Sequence, residues 1–415
     1  MSMRVKFGIL ILSSVIALYA IVGGLLPRYG VIASNDPYSQ MTIFHEVLTR
    51  IVEDYVDEPD LERVRLGLLR GLAEGLDPYS AYLTPDQVRR YQSTDIAGPA
   101  EAGMVLSKVA GYVYVVSITK GGPAEAGGIR AGDVFEYINN RATRDMSLYD
   151  SLEMVRGPAG KEVELRLFRG GRSETVKLKL QEVKLVDPVG RLLSPGMGYL
   201  QVASLASGQA AKVKAQVQSL VDQGAKSLAL DLRGTADGDF DQGVAVANLF
   251  IGKGTLAKLV GKEGKEFRTA EAQPGRRLFK GSLVALVDRT TAGAAEIVAA
   301  AILDNKAGDV VGERSFGAGG DQELFRLRDG GGILMTTKKY AAPSGKPFMG
   351  TTSATSGIMP NVEVRRSEGS ELPTPEELEE EGIPPADQTA PPQPTKPSED
   401  LQLKKAIELL RQAKS

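Results

Sequence analysis

Cysteine is absent from this 415-residue chain, and histidine occurs once, as His45. Without thiols there is no disulfide, no thiolate nucleophile and no Cys-based zinc site; the absence says nothing of compartment. A lone histidine excludes a His-rich metal cluster and leaves little room for a Ser-His-Asp triad. His45 sits in the helix-like stretch T-I-F-H-E-V-L-T-R-I-V, far from any motif that carries chemistry, and reads as a structural or surface residue. A large net charge is also absent. The net charge is −2 with no basic run, so nothing draws the chain to nucleic acid. No G-x-x-x-x-G-K-[ST] occurs, and Gly317, Gly319 and Gly320 do not fit G-x-G-x-x-G. The acidic run from Asp237 opens like a calcium loop but has Gln242 where glycine must turn the chain and Asn248 where a bidentate glutamate belongs. No metal or cofactor is expected.

What is present fits a multidomain globular protein: 42% hydrophobic and 25% charged residues over a length sufficient for two or three domains. Arg4 and Lys6 precede an uncharged run over 7–26, long enough to cross a bilayer as a helix. The run exceeds a signal-peptide core and lacks an A-x-A site at the usual distance. Positive residues before it place the N-terminus in the cytoplasm and the bulk outside. The expectation is an uncleaved single-pass anchor in the inner membrane with a periplasmic body; a cleaved signal ending near Ala33 is the alternative.

Residues 41–96 form a helical region, with Phe44, Val47, Leu48 and Ile51 at helical spacing. Over 97–185, short β-rich runs surround G-G-P-A-E-A-G-G-I-R-A-G-D-V-F-E-Y-I-N-N (121–140), and S-L-Y-D-S-L-E-M-V-R-G-P-A-G follows at 147–160. This segment resembles a PDZ domain. The resemblance implies capture of a partner's C-terminal carboxylate by the loop Ala102-Gly103-Met104-Val105 and addition of its last residues as a strand. Leu148, Leu152 and Val155 share one helical face and either meet the ligand's apolar side chain or pack the domain core. From 186 to 365 strands and helices alternate, as in an α/β core with crossover helices. Residues 366–399 are rich in Glu and Pro and read as a flexible linker; 400–413 form an amphipathic helix capped by Asp400, expected to pack on the protein itself or on another copy. The fold class is thus α/β, in a multidomain α+β arrangement with an inserted PDZ domain.

Residues 287–304 read V-D-R-T-T-A-G-A-A-E-I-V-A-A-A-I-L-D, and 310–322 read V-V-G-E-R-S-F-G-A-G-G-D-Q. Together with D-P-Y-S-A-Y-L-T-P-D-Q at 77–87, they resemble the C-terminal processing peptidases, also called tail-specific proteases. The matching family segments run roughly N-x-x-S-A-S-A-S-E-I, V-G-E-x-T-F-G-K-G-x-x-Q and D-P-x-S-x-Y-L-T-P-E-E. There the serine three residues before the glutamate is the nucleophile and the lysine of F-G-K-G is its base. Here those positions hold Gly293 and Ala318, with the family spacing kept and neither reactive atom present. The family's D-L-R-N-x-P-G-G loop, whose glycine backbone helps form the oxyanion hole, reads D-L-R-G-T-A-D-G at 231–238. Asp237 replaces the first glycine of the pair, and a carboxylate there opposes a developing oxyanion. Glu296 and Gln322 match supporting positions; in an active relative Gln322 would help hold the lysine.

A serine hydroxyl is a poor nucleophile until a base takes its proton, and a lysine serves only when its pKa is lowered. The expectation is therefore a peptidase homologue without hydrolytic activity that binds C-terminal segments of envelope or secreted proteins and self-associates or assembles with an active relative. The competing expectation is an active serine-type endopeptidase with a displaced nucleophile, drawn from Thr290, Thr291 or Ser315 with Lys306, Lys338 or Lys339.

Overall fold

The computed structural model describes residues 37–93, 100–169, 172–366, 374–381 and 399–413. The expected membrane span at 7–26 and most of the stretch read as a linker lie outside these residues. Among the described residues no helix is long and apolar enough to cross a membrane. The chain divides into two units, 1–68 and 69–415. In the first, the helix Pro37–Asp54 carries the expected apolar stripe, but Val47 and Leu48 on it are exposed, as is His45.

The second unit is built on a six-stranded sheet in the order Val189–Ser194, Met197–Gln201, Ser227–Asp231, Ser282–Val287, Asp309–Gly312, Val362–Glu363. All neighbours after the first pair run parallel. Both faces of a parallel sheet must be covered, and the two-residue alternation of side chains allots each residue a side. Leu228, Leu230, Ala285 and Val287 face one core with residues of the helices Gln209–Asp222, Phe240–Ala247 and Ala294–Asp304. Ala229, Val284 and Leu286 face the other, which Ala406 and Leu410 of the last helix close. The C-terminal helix, Leu401–Gln412, therefore packs on the chain's own sheet. Its start is fixed by charge: Arg233 bonds Asp231 at 2.6 Å and Asp400 at 2.9 Å, and the Tyr199 hydroxyl donates to Asp231 at 2.8 Å.

A second sheet runs Ala81–Leu83, Gly332–Ala341, Thr255–Val260, Glu266–Glu271, with Gly320–Arg326 also paired to Gly332–Ala341. Its first strand lies in the region read as helical, within the stretch 77–87 that reads as a turn leading into a helix. Apolar residues at three consecutive positions there are all buried, as pairing on a sheet rim demands. The PDZ domain is an antiparallel sheet in the order Met104–Val109, Tyr112–Ile118, Val134–Ile138, Glu162–Arg169, Arg172–Lys179, with the helix Leu148–Met154 beside it. Ser147 and Asp150 form a capping box at that helix's start.

The stretch read as a linker is not featureless. Pro375–Glu381 is helical, because Thr374 and Glu377 cap it reciprocally and Leu378 is buried at 1% exposure. One leucine in an acidic run carries no periodicity, so composition alone could not reveal it.

Leu410, 1% exposed between the last helix and the sheet, provides a test. Leu410→Ala is expected to lower the unfolding free energy by about 2–4 kcal/mol in denaturant titrations, the cost of a buried cavity. A loss below about 1 kcal/mol would mean the helix is not seated on the sheet.

Candidate functional site

Three loops leave the carboxyl ends of neighbouring parallel strands and are stitched together by backbone. Ala292 N–H donates to Thr235 O at 2.9 Å, Phe316 N–H to Thr291 O at 2.9 Å, and Gly234 N–H to the Thr290 hydroxyl at 2.9 Å. The carboxyl end of a parallel sheet is where such folds place ligands.

Gly293 occupies the sharp turn from the strand Ser282–Val287 into the helix Ala294–Asp304, with φ 59° and ψ −115°. That conformation strains any residue with a Cβ, yet a Cβ built here would meet no atom within 4 Å. The turn is sharp and the space beside it is open, but glycine places no side-chain oxygen there.

Glu296, one turn into the helix and fully buried, organises the surroundings. Its carboxylate accepts from Gly293 N–H at 2.8 Å and Ala318 N–H at 3.0 Å on one oxygen, and from Gly317 N–H at 2.9 Å and the Ser315 hydroxyl at 2.5 Å on the other. The amides of Gly293 and Ala318 share one oxygen, so they lie within about 6 Å of each other. The sequence spacing of Gly293 and Ala318 thus closes into spatial contact. Burial pushes the Glu296 carboxyl up to about 7, against four hydrogen bonds that pull it down.

Gly293 and Ala318 line a cleft of about 200 Å³ together with Gln322, Tyr79, Thr336 and Tyr340. Gln322 donates to Tyr79 O at 2.5 Å, and the loop carrying Tyr79 is held by Asp77, which accepts from Tyr79 N–H, Ser80 N–H and the Ser80 hydroxyl. The stretch 77–87 was readable as a turn; that it supplies a wall of the cleft was not, since only the pairing of Ala81–Leu83 with Gly332–Ala341 brings it there.

Asp237 corrects an expectation. Its carboxylate accepts from Leu205 N–H at 2.7 Å and from the Ser204 hydroxyl, and the cleft is lined by its neighbours Ala236 and Gly238 instead. The carboxylate is turned to the adjoining loop and away from the lining of the cleft.

The displaced nucleophiles are all engaged. The Thr290 hydroxyl donates to Asp288 at 2.6 Å, Thr291 to Leu232 O at 3.1 Å, and Ser315 to Glu296. Lys338 bonds Glu323 at 2.5 Å and Lys339 bonds Met349 O at 3.1 Å, while Lys306 sits at φ 53° in the turn closing the helix Ala294–Asp304.

In the PDZ domain Gly103 has φ 72°, and Met104 and Val105 are half-buried at the start of the edge strand. Leu148 and Val155 belong to the domain core at 4% exposure each, so only Leu152 of the three retains surface. A seven-residue helix beside a small sheet has to bury most of its apolar face. Val105 also lines the cleft, as do Leu106 and Val116, so the two candidate sites are contiguous.

The family model for peptidase family S41 matches residues 196–364, and that for the PDZ domain matches 114–169. The chain belongs to the C-terminal processing peptidase family. It is 28% identical over 337 residues to the carboxy-terminal processing protease CtpA of Bacillus subtilis, a match spanning 81% of this chain and 71% of that protein. It is 32% identical over 289 residues to the chloroplastic C-terminal processing peptidase of Tetradesmus obliquus, spanning 65% of this chain and 62% of that one. The chain therefore covers less than two thirds of the algal relative. Among solved structures, a photosystem II D1 C-terminal processing protease superposes with a TM-score of 0.65 at 28% identity, covering 77% of this chain and 86% of that one. Family membership thus rests on the core and the PDZ domain together, and the chain is a PDZ-bearing homologue of these peptidases.

Glu296 makes a pH prediction. Its folded pKa lies above the ordinary carboxylate value, so its stabilising contribution is full below about pH 4.5 and is lost as pH rises to about 7. The unfolding free energy of the wild type minus that of Glu296→Gln is expected to fall by up to about 1.4 kcal/mol per pH unit across that window and then level off. A flat difference would show that the carboxyl is not displaced upward.

Proposed function

We propose that this protein binds polypeptide C-terminal tails without cleaving them, using the PDZ domain and the contiguous vacated cleft. The observation that carries this reading is the pair Gly293 and Ala318: one acidic oxygen holds both amides, and neither position bears the hydroxyl or amine that acyl transfer requires. The engagement of Thr290, Thr291, Ser315, Lys338 and Lys339 elsewhere supports it further. The apolar run at 7–26, preceded by Arg4 and Lys6, supports anchoring in the inner membrane with the body in the periplasm. Envelope and secreted proteins would then supply the tails. Self-association or assembly with an active relative would put binding to use.

Because Asp237 is held by Ser204 and Leu205, two changes are expected to suffice for reactivation. Purified soluble wild type should leave an unfolded protein and a C-terminally tagged peptide intact. Gly293→Ser with Ala318→Lys should hydrolyse them at roughly 10²-fold above background, with each single variant inert. The serine at φ 59° should also lower stability by about 1–3 kcal/mol. Cleavage by the wild type that disappears on changing Thr291 or Ser315 would sink the non-hydrolytic reading. In anisotropy titrations, peptides with a free C-terminal carboxylate should bind and amidated ones should not; equal binding of both would remove the PDZ assignment of the tail site.

A further inference from the structure

The helix Pro375–Glu381 lies across the seam between the PDZ domain and the peptidase core. Leu378 belongs to one buried apolar cluster with Val109, Tyr114 and Val116 of the PDZ sheet and with Ala292, the neighbour of Gly293. Two residues on, Glu379 accepts from the Ser353 amide at 3.0 Å and the Ser353 hydroxyl at 2.7 Å, both on the core. One short helix therefore grips both modules, and the grip lies beside the cleft, because Val116 and Ala292 also line it.

The seam it crosses is apolar and closely fitted. Tyr114 stacks on Phe316 with ring centroids 6.0 Å apart and planes 17° apart, and Val116 is 2% exposed between the modules. The PDZ sheet thus roofs the cleft. A seven-residue helix is far below the roughly 12–15 residues that an isolated helix needs, so its structure depends on this docking. Unseating and unwinding are one event.

We propose that residues 374–381 form a releasable strap that holds the PDZ sheet closed over the vacated cleft, so that a polypeptide enters only after Leu378 leaves its seat. The inference does not depend on whether the cleft hydrolyses anything. The strap acts through a single apolar anchor and a single polar clasp, which makes release a local event.

The cysteine-free chain permits a direct test with single thiols. Val116→Cys reports opening of the seam, and Val163→Cys, at a fully buried position inside the PDZ domain, reports unfolding of that domain. Each is introduced into the full chain, alone and with Leu378→Asp, Glu379→Ala or the conservative Leu378→Met, and the rate of reaction with a thiol reagent is measured. Leu378→Asp is expected to speed labelling at position 116 at least about tenfold while leaving position 163 unchanged. Glu379→Ala should give a smaller rise at 116 alone, and Leu378→Met should leave both rates near those of the parent. Unchanged labelling at 116 in the Leu378→Asp protein overturns the proposal. Equal acceleration at 116 and 163 also overturns it, since the helix would then be part of the PDZ fold and no strap.

Discussion

The buried carboxylate of Glu296 is the constraint on which the rest of the site depends. An ionised carboxylate only accepts hydrogen bonds, and removed from water it must find donors or lose its charge. Here the donors come from one loop, over 315–318, and from Gly293 at the turn before its own helix, so satisfying one side chain fixes the position of the two relative to each other. Three of the four donors are backbone amides. The amides of Gly293 and Ala318, not their side chains, make these bonds, so the scaffold does not depend on what side chain either position carries.

The PDZ domain contributes to the same region from the opposite side. Its edge strand supplies the loop expected to hold a carboxylate, and residues of that strand and the next form part of the cleft wall. The PDZ edge strand and the cleft that holds Gly293 and Ala318 are thus neighbours through Val105. The groove helix is in turn fixed from outside: Gln87 donates to Asp150 at 2.6 Å and Arg90 bonds Glu153 at 2.9 Å. The segment before the PDZ domain acts as a brace for the helix Leu148–Met154 as well as a source of the Tyr79 wall.

Much of this was legible in the residues. The PDZ strands Tyr112–Ile118 and Val134–Ile138 follow from β-branched and aromatic runs between glycine turns, and the α/β alternation of the core follows from buried runs and helical periodicity. The nearness of Gly293 and Ala318 was foreshadowed by the spacing of the two motifs that carry them. What escaped was set by long-range geometry. Whether Leu148 and Val155 face ligand or core depends on the sheet they meet, and the direction of Asp237 depends on Ser204 and Leu205, some thirty residues earlier. The helix at Pro375–Glu381 escaped because local composition opposes it and one buried leucine decides it.

Arg233 has a consequence for handling the molecule. It sits between the strand Ser227–Asp231 and the loop that lines the cleft, and it is clamped to Asp400 at the start of the final helix. The far end of the polypeptide is thereby geared to a wall of the central groove through one guanidinium. Truncations, affinity tags or tethers at the C-terminus would disturb that wall from a distance, and labels intended to be silent belong elsewhere on the surface.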